Sequence, residues 1–255
     1  MSRWLLVVLN GGCLILTVFL LVMMSKTAAM SSTSVKSRPA ALIFMHGLGD
    51  TPRGWSQLQE MLPSTQPRLS QLQYVFPPAP TIGITINGGM QMPGWFDLYD
   101  WPIAVGSKDD RDGKLAAVAQ IEQEVVKLKQ QGIDRDRIVV GGFSQGGAIA
   151  LLSAYYSQND KPFAGCVCLS GWLTLVDELK VSDKAKETPL FWGHGKVDDK
   201  VLFPQQAFGV DKLEKQGVQV DARDYMVGHG SHPDEMDAMA SFVDKILFGE
   251  KESKE

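Results

Sequence analysis

The sequence predicts an α/β fold in which a mostly parallel central sheet carries helices on both faces. Short apolar runs alternate with stretches of helical periodicity, histidines lie at predicted strand ends or in loops, and no internal repeat divides the chain. Strands that alternate with helices form βαβ units, and such units build a parallel sheet that is buried on both faces. These observations place the chain in the α/β class.

The predicted elements follow one another in chain order. Strands are expected where short apolar runs are bounded by turn residues, at residues 41–45, 73–76, 137–140, 163–169, 189–192 and 218–225. Helices are expected at residues 114–131, 148–156 and 205–216 and from about Pro233, the first and last with apolar residues at three- and four-residue spacing. Residues 77 to about 113 are rich in Gly, Pro and Asp and are predicted to be a long irregular loop.

The composition is that of an ordinary globular protein. The chain has 255 residues, of which 44% are hydrophobic and 21% charged, and this excludes a disordered or fibrous chain. Lys and Arg number 25 against 29 Asp and Glu, a net charge of −4 without a long basic run, so nucleic acid is not expected as a partner. Cys166 and Cys168 lie in an apolar run and are expected to be small buried hydrophobes.

The N-terminal segment is predicted to be a separate part of the chain. Residues 4–24 are uncharged and nearly all apolar, and a helix of that length is about 31 Å long, enough to cross a bilayer. Three interpretations stay open: an uncleaved membrane anchor with a cytosol-facing domain, a signal cleaved after Ala29 that leads to the secretory pathway, and a cytoplasmic form that starts at Met30. The expected parts are an apolar segment at residues 1–29, a polar linker at 30–39, one domain at 40–250 and a charged tail at 251–255.

One serine lies in a pattern that is typical of a nucleophile. Residues 142–146 read Gly-Phe-Ser-Gln-Gly and match G-x-S-x-G between a predicted strand and a predicted helix. In that context the turn exposes the Ser144 hydroxyl at a helix N-terminus, and glycines flank it because side chains there would collide with the neighbouring strand and helix. The alternatives are an incidental serine in a glycine-rich turn and a phosphate-binding loop, but the usual phosphate-loop motifs are absent.

A serine nucleophile needs a base, usually a histidine that a carboxylate orients. The four histidines lie at predicted strand ends or in loops: His46, His194, His229 and His232. After a turn of this type the chain order is serine, acid, histidine, and Ser144, Asp198 and His229 follow that order. Asp199 stands beside Asp198, and His232 could cap the last helix instead of acting as a base. Spacing alone therefore leaves the choice within each pair open.

Two backbone amides are expected to form an oxyanion hole. One should belong to Gln145, the residue after the nucleophile, and the other to a glycine-rich loop after an early strand. Residues 46–50, His-Gly-Leu-Gly-Asp, fit that loop, with the Leu48 N–H as the candidate donor.

Several segments also occur in the order found in one protein family. They are residues 46–51 (His-Gly-Leu-Gly-Asp-Thr), 92–97 (Met-Pro-Gly-Trp-Phe-Asp), 141–147 (Gly-Gly-Phe-Ser-Gln-Gly-Gly) and 169–173 (Leu-Ser-Gly-Trp-Leu), with the His194 and His229 loops. With these motifs the chain resembles the acyl-protein thioesterases of the phospholipase/carboxylesterase family of α/β-hydrolases over about residues 40–248. The resemblance implies an α/β-hydrolase fold without a large cap domain, and a catalytic domain at residues 40–250.

The family pattern selects among the open alternatives. Its H-G-x-x-D-x-x-V loop matches residues 194–201 and selects Asp198, while a Glu-Met pair six residues after the catalytic histidine selects His229. The resemblance thus implies a catalytic triad of Ser144, Asp198 and His229, with oxyanion-hole amides from Leu48 and Gln145. Three further side chains are expected to bind the acyl group of the substrate: Trp95, Trp172 and Met92.

The resemblance also implies a function and its partners. The expected substrates are S-acylated, palmitoylated proteins, with small esters or lysophospholipids as the alternative and no metal or organic cofactor. A non-catalytic binding protein or a membrane-tethered interaction protein is an alternative of another class. A weak homodimer is implied, without a located interface. Two pairs beside Asp198, Lys196-Val197 and Asp199-Lys200, differ from the residues usual in the family.

Overall fold

Parallel strands form the central sheet of the structure, a computed structural model that describes residues 38–156 and 161–249. In spatial order the strands are β2 (Gln73–Val75), β1 (Ala41–Met45), β5 (Ile138–Phe143), β6 (Gly165–Leu169), β7 (Leu190–Gly195) and β8 (Val220–Tyr225). Every neighbouring pair in this sheet is parallel. The predicted α/β class is confirmed.

Helices cover both faces of this sheet: α1 (Pro52–Trp55), α2 (Leu58–Thr65), α3 (Arg111–Gln130), α4 (Gln145–Tyr155), α5 (Pro204–Glu214) and α6 (Pro233–Phe248). Successive residues of a strand face opposite sides, so Ile43 packs in a buried cluster with residues of α3 and α4, and Leu42 in a second cluster with residues of α2 and α6. Cys166 and Cys168 are buried and free in β6, as predicted. The core therefore has two layers, one on each side of the sheet.

Helix α4 holds the position that matters most for the candidate site. Each of its residues is buried, and it packs against β5 and β6. Strand β5 continues through Gly141 and Gly142, three residues beyond its predicted end, because these glycines pair with both β1 and β6. A single residue, Ser144, then joins β5 to α4. The strand and helix thus fix this serine at the carboxyl end of the sheet.

The stretch that was predicted to be irregular contains a β-hairpin. Strands β3 (Thr81–Ile84) and β4 (Met90–Pro93) pair in antiparallel fashion, and Gly88 and Gly89 between them have positive φ angles. Each strand has only four residues, and most of them are exposed or half-buried. Strands of this kind depend on packing more than on propensity. Here Ile84 is buried in the same cluster as Trp95, a contact that local sequence patterns do not reveal.

Helix boundaries also differ from the prediction for local reasons. Helix α3 begins at Arg111, three residues early, because the Asp110 side chain caps it by accepting a hydrogen bond from the Gly113 amide at 3.1 Å. Helices α1 and α2, which follow the His46–Asp50 loop, were not predicted at all.

The described residues from Arg38 onward belong to one compact unit. Within residues 38–156 and 161–249, no helix combines the length and the apolar character that a membrane span requires. The predicted apolar segment at residues 4–24 and the charged tail at 251–255 lie outside the described residues.

Candidate active site

Ser144 sits on a strained turn between β5 and α4. Its φ is 55° and its ψ is −120°, a left-handed conformation that costs a non-glycine residue on the order of 1–3 kcal/mol. The turn leaves no room for side chains on either flank: a Cβ on Gly142 would overlap the Gly146 carbonyl, and one on Gly146 would overlap the Met45 carbonyl of β1. The Ser144 amide is held by the Leu169 carbonyl at 2.9 Å. This steric arrangement is the one expected from G-x-S-x-G.

A chain of hydrogen bonds links Ser144 to a histidine and a carboxylate from two distant loops. The distance between Ser144 Oγ and His229 Nε2 is 3.0 Å, and that between His229 Nδ1 and Asp198 Oδ2 is 2.8 Å. Because a carboxylate only accepts, Nδ1–H is the donor to Asp198 and Nε2 is left to accept the serine proton. The structure thus brings together the three residues that were predicted as a triad.

Asp198 is a buried carboxylate with both oxygens occupied. It is 5% exposed, Oδ2 accepts from His229, and Oδ1 accepts from the amides of Lys200 at 2.8 Å and Val201 at 2.9 Å. Burial alone raises the pKa of this carboxyl, but the hydrogen bonds from His229 and the two amides outweigh burial and hold the pKa below its usual value. Asp198 is therefore charged at neutral pH and can stabilise a protonated His229.

Two further titratable residues of this loop, Asp199 and His194, lie in surroundings that differ from those of Asp198 and His229. The Asp199 side chain is exposed and pairs with Lys200, away from His229. His194 is fully buried at the end of β7, and its Nε2–H donates to the Val201 carbonyl at 2.9 Å. Burial lowers the pKa of His194, so this imidazole is neutral and ties together the two ends of the loop that carries Asp198.

His232 is the N-cap of α6. Its Nδ1 accepts from the Asp234 amide at 3.2 Å, while its own amide donates to Glu235 Oε2 at 3.1 Å, a reciprocal capping box. The other Glu235 oxygen, Oε1, is buried without a hydrogen-bond partner. Burial raises the pKa of Glu235 to about 7, against the opposing effect of the His232 amide. His232 thus anchors the end of the loop that presents His229.

The two predicted oxyanion-hole residues, Leu48 in a loop and Gln145 at the start of α4, lie in segments that are both hydrogen-bonded to Trp95. Leu48 and Gln145 both line the cavity that contains Ser144. Trp95 Nε1 donates to the His46 carbonyl at 2.8 Å, and the Trp95 amide donates to Gln145 Oε1 at 3.0 Å. Because this one residue contacts both segments, it holds the Leu48 loop and the start of α4 in a fixed relation.

A cavity of about 510 Å³ opens beside Ser144. Of the three residues that were expected to bind the acyl group, Trp172 lines this cavity. Trp95 does not line it, because it is only 2% exposed and is hydrogen-bonded to the His46 loop and to Gln145. Met92 does not line it either and lies in strand β4 of the β-hairpin. Sequence reasoning missed several lining residues from segments that are far apart in the chain: Trp55, Leu98, Trp101, Ile103, Phe143, Lys200 and Val201. Phe143 and Val201 lie within motifs that had been recognised, but those motifs did not indicate a place in the cavity wall, and no motif marks Trp55, Leu98, Trp101 or Ile103.

The described part of the chain has no group of three His, Cys, Asp or Glu side chains arranged as a metal site. The arrangement can support nucleophilic chemistry, because it pairs a hydroxyl at a helix N-terminus with an imidazole in hydrogen-bond contact and a charged carboxylate behind that imidazole.

Comparison with known proteins agrees with this geometry. The Phospholipase/Carboxylesterase family model matches residues 26–247. Acyl-protein thioesterase 1 of Saccharomyces cerevisiae is 36% identical over 223 residues, which cover 84% of this chain and 96% of that protein. Acyl-protein thioesterase 1 homolog 1 of Dictyostelium discoideum is 33% identical over 217 residues, 84% of this chain and 93% of that protein.

A solved structure extends the similarity to the fold. Acyl-protein thioesterase 2 of Zea mays matches with a TM-score of 0.71 at 31% identity, over 84% of this chain and 96% of that one. The resemblance inferred from the motifs is confirmed, and so is the α/β-hydrolase fold without a large cap domain. The chain is a serine hydrolase, and it belongs to the phospholipase/carboxylesterase family of α/β-hydrolases.

Proposed function

We propose that this protein hydrolyses the thioester bond between a fatty acyl group and a cysteine of an S-acylated protein. The observation that carries the proposal is the hydrogen-bonded series Ser144, His229 and Asp198, with 3.0 Å and 2.8 Å between successive partners, at the wall of a largely apolar cavity. The similarity to acyl-protein thioesterases from yeast, a slime mould and maize supports the thioester as the bond that is cleaved.

In the proposed reaction Ser144 Oγ attacks the thioester carbonyl carbon while His229 Nε2 takes the hydroxyl proton. Asp198 stabilises the imidazolium that forms, and the amides of Leu48 and Gln145 donate to the oxyanion. The tetrahedral intermediate collapses with cleavage of the C–S bond, and His229 returns the proton to the departing thiolate. His229 then deprotonates a water molecule, which attacks the acyl-serine ester. The bond between the carbonyl carbon and Ser144 Oγ breaks, His229 returns the proton to Oγ, and the fatty acid leaves.

The cavity walls support an acyl chain as the group that is bound there. Trp55, Phe143 and Trp172 line it with aromatic surface, and Ile103 and Val201 add aliphatic surface. A site of this volume and composition buries apolar ligands well. We therefore assign the acyl chain to the cavity and the protein part of the substrate to its mouth.

A second candidate is the hydrolysis of small carboxylic esters or lysophospholipids by the same residues. The description of the family, which covers phospholipases and carboxylesterases, favours this alternative. A non-catalytic binding role fits less well, because binding alone requires neither the strained conformation of Ser144 nor the hydrogen bonds that connect Ser144 to His229 and His229 to Asp198.

The test compares a palmitoyl-cysteine peptide, a lysophospholipid and a short-chain ester as substrates of the wild-type protein, Ser144→Ala and Ser70→Ala. Ser70 is an exposed serine outside the cavity and controls for the substitution itself. We expect the highest kcat/KM for the thioester and a loss of about 10⁴-fold or more in Ser144→Ala. Higher kcat/KM for the esters would transfer the assignment to the second candidate, and unchanged hydrolysis by Ser144→Ala would refute the mechanism.

We further propose that residues 1–29 anchor the enzyme to a membrane with its catalytic domain, residues 40–250, in the cytosol. The length of the uncharged stretch at residues 4–24 supports this, and an anchor would hold the enzyme close to S-acylated proteins. The test is carbonate extraction with mass spectrometry of the N-terminus. Extraction-resistant protein that retains Met1 is expected; a secreted or a freely soluble chain that begins at Met30 would contradict the anchor.

The weak homodimer stays a prediction that sedimentation can check.

A further inference from the structure

Lys200 brings a positive charge to the mouth of the cavity that contains Ser144. Of the described residues that line this cavity, it is the only lysine or arginine. Its side chain is 41% exposed, so the ammonium group lies where solvent and a bound substrate can both reach it.

The backbone of Lys200 is tied directly to the proposed triad. Its amide donates to Asp198 Oδ1 at 2.8 Å, and its carbonyl accepts from the Ile103 amide at 2.8 Å. These bonds on both sides hold the residue in the same loop that orients His229. They fix the backbone from which the side chain extends, and Lys200 Nζ lies 5.9 Å from the centroid of the Trp101 ring, which also lines the cavity.

The charged neighbours of Lys200 leave it able to bind an anion. Its Nζ lies 3.0 Å from Asp199 Oδ2, but the Asp199 side chain is 73% exposed, and an ion pair this exposed contributes little. Asp50 is the other charged residue that lines the cavity. Its carboxylate accepts from the Thr51 amide at 2.7 Å and packs against Gly54 of α1.

We propose that Lys200 selects substrates with an anionic group beside the scissile thioester, specifically an acidic residue next to the acylated cysteine. This inference rests on the proposed function and deepens it. With the acyl chain against the apolar walls, the peptide on either side of the cysteine passes the mouth, where Lys200 meets its nearest side chains. A charge pair between the Lys200 ammonium group and a substrate carboxylate, partly shielded from solvent at the cavity mouth, is expected to change substrate binding by about 3- to 10-fold and to be weakened by salt.

The experiment uses the full chain and three S-palmitoyl peptides that differ only in the residues beside the cysteine: acidic, neutral or basic. The ratio of kcat/KM for the acidic peptide to that for the neutral peptide is measured for wild type, Lys200→Met, Lys200→Glu and Lys196→Met. Lys196 is the matched control because it is a half-exposed lysine of the same loop, paired with Asp224 and outside the cavity lining.

We expect wild type and Lys196→Met to prefer the acidic peptide by about 3- to 10-fold, mainly through a lower KM, with the preference falling as salt is added. Lys200→Met should remove the preference and Lys200→Glu should reverse it in favour of the basic peptide. The same acidic-to-neutral ratio in wild type and Lys200→Met would overturn the inference and leave the thioesterase function intact. Failure of wild type to hydrolyse any of the thioester peptides would overturn the proposed function itself.

A lipid arm separates the two sources of an anionic group. Lysophosphatidylglycerol and a monoacylglycerol with the same acyl chain are compared in wild type and Lys200→Met. If Lys200→Met weakens only the hydrolysis of the phosphate-bearing lipid and leaves the peptide ratio unchanged, the acidic-peptide assignment is wrong.

Discussion

Two buried carboxylates hold the loop that presents His229, and their surroundings differ sharply. Asp198, 5% exposed, receives hydrogen bonds on both oxygens from His229 and from two backbone amides. Glu235, 1% exposed, receives one bond from the His232 amide and has its other oxygen unpaired against Gly193 of β7.

Hydrogen-bond donors, and not burial, determine the direction in which the pKa of each carboxyl is shifted. Burial raises the pKa of both groups, but only Asp198 has enough donors to bring its pKa below the usual value. Glu235 has one donor, so its pKa stays raised at about 7. Asp198 is thus charged at neutral pH beside His229, whereas Glu235 is about half protonated at pH 7 where it caps helix α6.

The largest expected effect follows from converting each carboxyl to an amide. Asp198→Asn should lower kcat/KM by about 10⁴-fold, because the amide would donate to His229 Nδ1 and leave the wrong tautomer toward Ser144. Glu235→Gln should lower it by less than about 10-fold, because its carbonyl still accepts from His232. Thioester hydrolysis is measured, with Asp199→Asn as the neighbouring control. Equal losses of kcat/KM in Asp198→Asn and Glu235→Gln would contradict the different roles assigned to the two carboxyl groups.

A second prediction concerns stability against pH. Because the folded pKa of Glu235 is about 7, above its ordinary 4.5, the folded protein binds this proton more tightly, and its free energy of unfolding falls as pH rises between those values. Asp198 acts in the opposite direction: its pKa is lowered from 3.8, so its contribution is present above that pH and is lost as the pH falls below it.

Glu235→Gln should therefore gain stability relative to wild type as the pH rises, by about 2–3 kcal/mol between pH 5 and pH 8. Urea unfolding at several pH values measures this difference. Glu60→Gln, which changes an exposed glutamate of α2, controls for the loss of a carboxylate. A constant difference between Glu235→Gln and wild type across this range would show that the carboxyl is charged throughout.

The smallest expected effect tests the packing of Glu235 against β7. A Cβ on Gly193 would overlap Glu235 Oε1, and the buried carboxyl has little space to move. Gly193→Ala should lower the free energy of unfolding by about 1–2 kcal/mol, whereas Gly228→Ala, whose Cβ would meet nothing closer than 3.9 Å, should not. The loss should shrink in a Glu235→Ala background. An unchanged loss there would separate Gly193 from the carboxyl.

Features of this protein that depend on short segments could be predicted from the amino-acid sequence. Alternating apolar runs and helical periodicities indicated the parallel sheet. Gly142 and Gly146 indicated the turn at Ser144, because a strand–serine–helix turn leaves no room for side chains at these two positions. The order of Ser144, Asp198 and His229 was also readable, since loops at the carboxyl ends of parallel strands converge on one edge. The family motifs then separated Asp198 from Asp199 and His229 from His232.

Features that depend on contacts between side chains far apart in the sequence became visible in the folded structure alone. The β-hairpin is stabilised by the packing of Ile84 in the same buried cluster as Trp95. Trp95 was expected in the acyl cavity, but in the structure it is hydrogen-bonded to the His46 loop and to Gln145 at the start of α4. The wall of the cavity is formed by segments that are far apart in the chain, and the loop that contains Lys200 is one of them. The pKa of Glu235 is raised because the carboxyl is buried and its Oε1 has no hydrogen-bond donor. The sequence near Glu235 does not show which donors from distant parts of the chain will reach it.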